Sequence, residues 1–262
     1  ASHPGDIQEL VEIAEPNYGL ITNVGRAHLQ GFGSFEGVMQ TKGELYDYLI
    51  ARQGSVFRNE DNLYLNQMWN HAVQKAKACG LSVQSQQYLY QRIPMPKGTH
   101  LVGDYNAENI AAALCIGEHF DVTHEQGMQA IRAYIPSNNR SQSMQTERNH
   151  LIVDAYNANP TSMQAAIQTF QADTYILGSM RELGDYEQLE HQNIVNMLLE
   201  RKAGQVYLIG NEWKQTTAPY PIYDSAETFR QCLIDGKVQL NGCHILLKGS
   251  RSNRLEQLID CL

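Results

Sequence analysis

The chain has 262 residues, of which 42% are hydrophobic, so it is long enough for one large domain or two modest ones. Its formal net charge of −8 and its lack of a basic tract argue against nucleic acid as a partner. No run approaches the roughly 18 apolar residues of a membrane span, and no signal segment begins the chain. Five scattered cysteines without a Cys-x-x-Cys pair indicate reduced thiols, so we expect a cytoplasmic protein.

Apolar runs and helical periodicity predict alternating strands and helices in the first half of the chain. Thr123 and Gln126 have the spacing of a capping box, which predicts where the last of these helices begins. The predicted strands are 18–24, 54–59 and 81–93, and the predicted helices are 35–51, 63–80, 106–120 and 123–135.

The polar, turn-rich stretch "PSNNRSQ" (136–142) predicts a domain boundary, with one domain at 1–136 and a second at 137–262. After it, apolar strands alternate regularly with amphipathic helices, which predicts an α/β fold with a mostly parallel sheet covered on both faces. The predicted strands are 150–156, 174–180, 205–210 and 243–250, and the predicted helices are 160–172, 186–202, 225–236 and 252–262. Ligands of such folds bind at the carboxyl ends of strands, here "DAYNANP", "LGSMRELG" and "KGSR".

Lys42 lies on an apolar helical stripe with Val38, Leu45 and Leu49. One interpretation is a lysine at the edge of the stripe, whose stem packs while its amine reaches water. The other is a partly buried amine with a lowered pKa, or a modified one.

His28 follows a predicted strand within the glycine-rich stretch "TNVGRAHLQGFG" (22–33). A neutral imidazole there is a candidate metal ligand or general base, and a histidine bonded to backbone is the structural alternative. No second ligand lies at zinc-finger or His-Glu-x-x-His spacing, which disfavours zinc.

Three further stretches carry polar groups at predicted strand ends or helix starts. Asp154 in "DAYNANP" is a candidate for holding sugar hydroxyls, or a turn residue that bonds its own backbone. "KGSR" (248–251) offers a cation and helix-start amides to an anion, or is a solvated turn. Asn106 and Asn109 are candidates for reading an adenine edge, although Asn is also common at helix starts. No Gly-x-x-x-x-Gly-Lys-Ser/Thr loop occurs, so the usual phosphate-binding loop is missing from these residues.

Five segments in this order resemble the Mur ligase family, ATP-dependent enzymes that add amino acids to the peptidoglycan precursor: "ASHPGDIQEL", "GLITNVGRAHLQGFGSFEGVMQTKGELYDYL", "DAYNANPTSM", "LGSMRELG" and "LLKGSR". The resemblance is greatest to its MurF type. "DAYNANP" discriminates best, because the diaminopimelate- or lysine-adding type has an Asp-Tyr-Ala-His-like motif there and folylpolyglutamate synthases an Asp-x-Ala-His-like one.

The resemblance implies that the chain is the later part of a central ATPase domain followed by a Rossmann-like C-terminal domain. The UDP-sugar-binding domain and the phosphate-binding loop would then lie upstream of Ala1. The implied function is the joining of D-alanyl-D-alanine to UDP-N-acetylmuramoyl-tripeptide through an acyl phosphate, with ATP and Mg²⁺ as cofactors. We expect this part alone to be inactive and monomeric.

The resemblance also implies the metal site. His28 matches a histidine that binds Mg²⁺, and Lys42 matches a lysine that becomes a carbamate. A carbamate is an anion with oxygen atoms, the ligand type that Mg²⁺ prefers. Without the upstream ligands, we expect Lys42 to be unmodified or only partly carbamylated in this chain.

For the nucleotide, the resemblance implies contacts from five residues. Asn106 and Asn109 match asparagines near adenine, Arg140 matches a linker arginine that reaches ATP phosphate, and Asp154 matches a residue near the ribose with Asn157 beside it.

The peptide substrates are implied to contact Lys248, Ser250 and Arg251. Two positions depart from the family pattern: Tyr105 replaces a frequent histidine and Ser179 a common aspartate. Two alternative functions remain, a non-catalytic nucleotide- or peptide-binding module and an amide ligase of another Mur or folylpolyglutamate type.

Overall fold

A computed structural model describes residues 1–103, 105–136 and 140–262, and the chain divides into two compact units. Unit 1 comprises Ala1–Thr99 and Asp104–Ala133, and unit 2 comprises His100–Gly103 and Tyr134–Leu262. The boundary predicted from the sequence, between residues 136 and 137, falls at the edge of 137–139, which lie outside the described residues.

Unit 1 is built on a parallel sheet of three strands in the order β1-β2-β3, with helices around it. Tyr46 and Trp69 meet edge to face in its core, with ring centroids 5.6 Å apart. The strands are β1 (Tyr18–Leu20), β2 (Ser55–Asn59) and β3 (Gln87–Tyr90), and the helices are α1 (Asp6–Ala14), α2 (Leu29–Phe32), α3 (Phe35–Ala51), α4 (Leu63–Ala78), α5 (Tyr105–His119) and α6 (His124–Ala133).

Side-chain caps determine where several of these helices begin. The Ser34 side chain accepts a hydrogen bond from Gly37 N at the start of α3, and Asn62 caps α4 in the same way. The predicted capping box before α6 is confirmed, because Thr123 N donates to Gln126 Oε1 at 2.9 Å and Gln126 N donates to Thr123 Oγ1 at 3.3 Å.

Unit 2 is built on a sheet of six strands in the order β4-β5-β9-β6-β7-β8, in which only the edge pair β4–β5 is antiparallel. Its strands are β4 (Gln142–Gln145), β5 (His150–Asp154), β6 (Thr174–Gly178), β7 (Gln205–Ile209), β8 (Ile222–Tyr223) and β9 (His244–Lys248), and its helices are α7 (Pro160–Thr169), α8 (Glu187–Glu200) and α9 (Ala226–Ile234). Short 3₁₀ segments cover Gly184–Tyr186, Asn211–Gln215, Arg251–Asn253 and Leu255–Cys261.

The last strand, β9, inserts between β5 and β6, and this crossover positions the candidate site of unit 2. Because the three strands are parallel, the segments that follow them meet at one edge of the sheet. A capping box of Asn159 and Ser162, with Pro160 as first helical residue, turns the chain from β5 into α7 at this edge.

The α/β class and the mostly parallel sheet are confirmed, and the differences lie in particular elements. The strands predicted at 18–24 and 81–93 shorten to β1 and β3. The predicted helix 252–262 is wrong: it consists of 3₁₀ segments interrupted by Arg254, whose φ of 52° is left-handed. Four elements, α1, α2, β4 and β8, are not predicted from the sequence, because they are short or on an edge of the sheet.

Candidate functional site

Lys42 lies in the middle of α3, and its amine points to the loop that follows β1. Its Nζ donates a hydrogen bond to Asn23 O at 3.0 Å, and the side chain is half-buried. Burial lowers the pKa of this amine below its usual value, because a charged amine loses hydration there. The arrangement favours the partly buried amine over the solvated one.

His28 immediately precedes α2 with a left-handed backbone, φ 53°. Its carbonyl accepts hydrogen bonds from Gly31 N and Phe32 N, both at 3.1 Å, and its ring packs edge to face on Phe32. The turn therefore holds the imidazole in a defined place. Helix α2 packs on α3, the helix that carries Lys42.

A complete metal site is not present in the described ranges: no group of three or more His, Cys, Asp or Glu side chains there is placed to hold an ion. His28 and Lys42 are at most two members of a ligand set. An ammonium does not bind a cation, whereas a carbamate formed on a neutral amine supplies oxygen ligands. The lowered pKa of Lys42 is the observation that suits this chemistry.

Asn106 and Asn109 lie in the first turn of α5, and their side-chain amides are bonded to each other. Asn109 Nδ2 donates to Asn106 Oδ1 at 3.3 Å; Asn106 is buried and Asn109 is exposed. The sequence spacing of three residues therefore does place the two amides together on one helix face.

In unit 2, Asp154 and Lys248 are register partners at the carboxyl ends of β5 and β9. Lys248 Nζ lies 2.6 Å from Asp154 Oδ2 and 3.3 Å from Asn157 O, and the lysine is 1% exposed. The other carboxylate oxygen, Oδ1, accepts from Ser141 N at 3.2 Å. The ammonium that the sequence analysis assigned to the peptide substrates thus contacts Asp154 and Asn157 in this structure.

Ser250 and Arg251 follow β9 at the same edge. Ser250 is buried, and its Oγ lies 3.4 Å from Ala158 O. Arg251 and Arg140 are both exposed, and both guanidinium groups lie over the ring of Tyr156, with their Cζ atoms 5.7 and 4.0 Å from its centroid. The structure therefore gathers the predicted site residues of unit 2, from "DAYNANP", "KGSR" and the linker, in one place.

Tyr156 and two buried polar groups behind this edge are not among the site residues predicted from the sequence. Asn253 Nδ2 donates to Ser179 Oγ at 2.9 Å, and His191 Nε2 accepts from Met180 N at 3.1 Å. Tyr156 lies inside the motif "DAYNANP", so its position carries a local sequence signal. The partners of Ser179 and Met180 come from distant segments and left no local signal.

A cavity of about 850 Å³ in unit 1 lies between α1, α3 and α4, away from these groups. Its wall is partly acidic, with Glu12, Glu36, Glu44 and Asp47. Glu44 is already engaged, since its carboxylate oxygens accept from Gly5 N and Gln8 N, both at 2.8 Å. The predicted site residues do not line this cavity, and it is not part of the candidate site.

Two family models match the chain in this order: the Mur ligase middle domain over residues 1–117, and the Mur ligase, glutamate ligase domain over residues 139–250. The chain belongs to the Mur ligase family. Each unit thus contains most of one match, and the two matches together cover nearly all of the chain.

Among curated relatives of this Mur ligase chain is the UDP-N-acetylmuramoyl-tripeptide--D-alanyl-D-alanine ligase of Haemophilus influenzae, which is 28% identical over 289 residues. The alignment covers 100% of this chain and 62% of the relative, so the chain spans less than two thirds of that protein's length.

Solved structures show the same fold. MurF from Acinetobacter baumannii superposes with a TM-score of 0.81 at 22% identity, covering 99% of this chain and 62% of that one. MurF ligase from Thermotoga maritima, solved in complex with ADP, gives 0.79 at 20% identity, covering 100% and 65%. Within the described part of this Mur ligase chain, no helix is long and apolar enough to cross a membrane.

Proposed function

We propose that the chain is part of an ATP-dependent ligase that joins D-alanyl-D-alanine to UDP-N-acetylmuramoyl-tripeptide in peptidoglycan precursor synthesis. The observation that carries this proposal is the alignment with a relative of that name along the full length of the chain, including "DAYNANP". We further propose that the boundary between its two domains in the sequence lies between residues 136 and 137, and that the protein works in the cytoplasm.

The proposed reaction has two steps. The tripeptide carboxylate attacks the γ-phosphate of ATP, which forms an acyl phosphate and releases ADP. The amine of D-alanyl-D-alanine then attacks the acyl carbon, and phosphate leaves. Phosphoryl transfer of this kind depends mainly on positioning and on neutralisation of charge.

His28 and a carbamate on Lys42 are the residues that would hold Mg²⁺, which when bound neutralises phosphate charge. The neutral amine of Lys42 is the form that adds CO₂, and burial increases its population at neutral pH. The lone pair of the neutral amine would form the N–C bond with CO₂, one C=O π pair of CO₂ would move to oxygen as the carboxylate charge, and the nitrogen would then release one proton to solvent. The half-buried position then limits the access of water to that group.

We propose nucleotide contacts for each unit taken by itself: Asn106 and Asn109 in unit 1, and Arg140, Asp154 and Asn157 in unit 2. Within unit 2, Lys248 and Ser141 hold the Asp154 carboxylate from two sides, which fixes its orientation as an acceptor for hydroxyl groups. Ser250 follows β9 beside it and is proposed to contact the peptide substrates.

The test is a ligation assay on the complete protein that contains this chain. ATP, Mg²⁺ and UDP-N-acetylmuramoyl-tripeptide are supplied with D-alanyl-D-alanine, D-glutamate, L-lysine or meso-diaminopimelate, and products are identified by mass. We expect ADP and a pentapeptide product with D-alanyl-D-alanine alone. Product with another amino acid, or nucleotide binding without product, would refute the proposal in favour of a different ligase or a binding module.

A matched pair of variants links the assay to Lys42. Lys42→Gln cannot form a carbamate, so we expect kcat to fall steeply while the KM for D-alanyl-D-alanine changes little. Lys75→Gln, on the neighbouring helix α4, alters an exposed lysine and serves as the control. Equal activity of the two variants would contradict the role given to Lys42.

A further inference from the structure

The ring of Tyr156 is shared by two guanidinium groups from distant parts of unit 2. Arg140 precedes β4, Tyr156 follows β5, and Arg251 follows β9. Their Cζ atoms lie 4.0 and 5.7 Å from the ring centroid, within the ~6 Å range of cation–π attraction. We name these three residues the arginine–tyrosine cluster.

Neither arginine of the cluster has a carboxylate within ion-pair distance in the part of the chain that the structure describes. The nearby carboxylate of Asp154 is instead bonded to Lys248 and to Ser141 N. Both guanidinium groups therefore keep an uncompensated positive charge on an exposed surface.

The shared ring also limits how far apart the two charges lie. Since both Cζ atoms are measured from one centroid, they are separated by at most about 10 Å, which is close to the Debye length of ~10 Å at 0.1 M salt. Two like charges that are not fully screened repel each other, and an anion that contacts both relieves this repulsion. A ligand with several phosphoryl groups has the charge and the length for this, and guanidinium groups bind phosphate oxygens through paired hydrogen bonds.

We propose that Tyr156 is a positioning residue that holds Arg140 and Arg251 as one pair for binding a polyphosphate chain. The inference deepens the proposed function and rests on it for the identity of the natural polyphosphate, ATP. It gives Arg251 a role toward the nucleotide phosphates, in place of the peptide contact expected from the sequence. The ring itself does not touch the phosphates; it fixes the two side chains that do.

The experiment measures binding of inorganic tripolyphosphate to the 262-residue chain by calorimetry, at constant ionic strength, with orthophosphate for comparison. We expect one tripolyphosphate per chain, bound more tightly than orthophosphate. Arg140→Gln and Arg251→Gln should each weaken binding about tenfold or more, because each removes hydrogen bonds to a charged group. Tyr156→Leu should weaken it about two- to fivefold, the range of an exposed cation–π contact, and Tyr156→Phe should retain it.

Arg201→Gln is the matched control, because Arg201 is also exposed but follows α8, at the opposite edge of the sheet. A spectroscopic readout tests the positioning directly. The Nε–H signals of Arg140 and Arg251 in NMR spectra should lose their ring-current shift in Tyr156→Leu and keep it in Tyr156→Phe. Circular dichroism establishes that each variant is folded.

Three results would overturn the inference: no tripolyphosphate binding by the wild-type chain, unchanged affinity and arginine signals in Tyr156→Leu, or equal losses in Arg201→Gln and Arg251→Gln. Failure of the proposed function looks different. The 262-residue chain could bind tripolyphosphate through the arginine–tyrosine cluster while the complete protein forms no D-alanyl-D-alanine product. That result would refute the ligase function and still support the role of the cluster.

Discussion

Lys248 donates a hydrogen bond to Asp154 from the neighbouring parallel strand, with Nζ and Oδ2 2.6 Å apart. The lysine is 1% exposed and the carboxylate side chain 13%, so the pair is almost removed from water. Taking a charge out of water costs several kcal/mol, which the pair offsets only while both members are present. The pair therefore couples the end of β5 to the end of β9.

We expect Asp154→Asn to destabilise unit 2 by about 3–5 kcal/mol, because it leaves a buried ammonium without a counter-charge. Lys248→Met should cost less, since Asp154 keeps its bond to Ser141 N and lies nearer to solvent. Urea unfolding in a Trp69→Phe background checks both, because the remaining tryptophan, Trp213, is buried in unit 2.

The exposed pair of Lys214 and Asp224 provides the control for this prediction. Lys214→Met should change the free energy of unfolding by less than about 1 kcal/mol, as is usual for surface ion pairs. If Lys214→Met and Asp154→Asn lower the free energy of unfolding by similar amounts, burial of the Lys248–Asp154 pair is not what makes it important.

Lys42 should lose its proton at lower pH than Lys75. Burial lowers the pKa of Lys42, whereas the hydrogen bond to Asp47, 2.6 Å away, raises the pKa of Lys75. Competitive acetylation between pH 7 and 11, read by mass spectrometry, should give a lower midpoint for Lys42. The reverse order would show that the amine is well hydrated.

The lowered pKa of Lys42 also predicts how the stability of unit 1 depends on pH. Between the lowered pKa of Lys42 and the ordinary value of 10.5, the unfolded chain binds more protons than the folded one. The free energy of unfolding contributed by this group therefore rises with pH across that interval, and Lys42→Met should remove the rise.

Lys42 should carry little or no carbamate in this chain, because the described residues supply only part of a metal ligand set. NMR spectra of the chain in buffer with ¹³C-bicarbonate check this, and a strong carbamate signal from Lys42 would contradict it.

His191 should make unit 2 less stable in mild acid. Its Nδ1 lies 2.7 Å from Glu187 O and its Nε2 accepts from Met180 N, so the buried ring is neutral and donates from Nδ1. Burial lowers its pKa below 6.5. The unfolded chain thus takes up the proton first, and stability is lost as pH falls from about 6.5 toward the folded pKa.

His191→Leu tests this assignment. We expect it to cost about 1–3 kcal/mol at pH 7, because Met180 N loses its acceptor in a buried place, and to flatten the pH dependence below 6.5. His244→Leu, which replaces an exposed ring, should leave that dependence in place. If the stability of His191→Leu still falls below pH 6.5, the acid-dependent loss of stability comes from another group.

We expect the 262-residue chain by itself to form no ligation product from ATP, UDP-N-acetylmuramoyl-tripeptide and D-alanyl-D-alanine. The reason is that these residues contain no Gly-x-x-x-x-Gly-Lys-Ser/Thr loop to cradle the phosphates. Product detection by mass spectrometry checks this, and measurable ATP-dependent ligation would contradict it.

The elements that depend on local signals could be predicted well. Helix α3 has the same bounds, 35–51, in the prediction and in the structure, since its cap and its apolar periodicity act within one or two turns. The helix predicted at 252–262 has a similar apolar pattern, yet the left-handed Arg254 and packing on α9 make it 3₁₀. Periodicity cannot reveal such a backbone break.

By itself, the sequence determined the α/β class, the order of most strands and helices, and the segments that follow the carboxyl ends of the strands, because hydrophobic period and capping are read from neighbouring residues. Only the tertiary structure decided that β9 lies between β5 and β6. That insertion brings Lys248 next to Asp154, which lies 94 positions earlier in the chain. It also places Arg251 beside the Tyr156 ring that Arg140 contacts. Strand order depends on burial summed over the whole sheet, which no local stretch of residues contains.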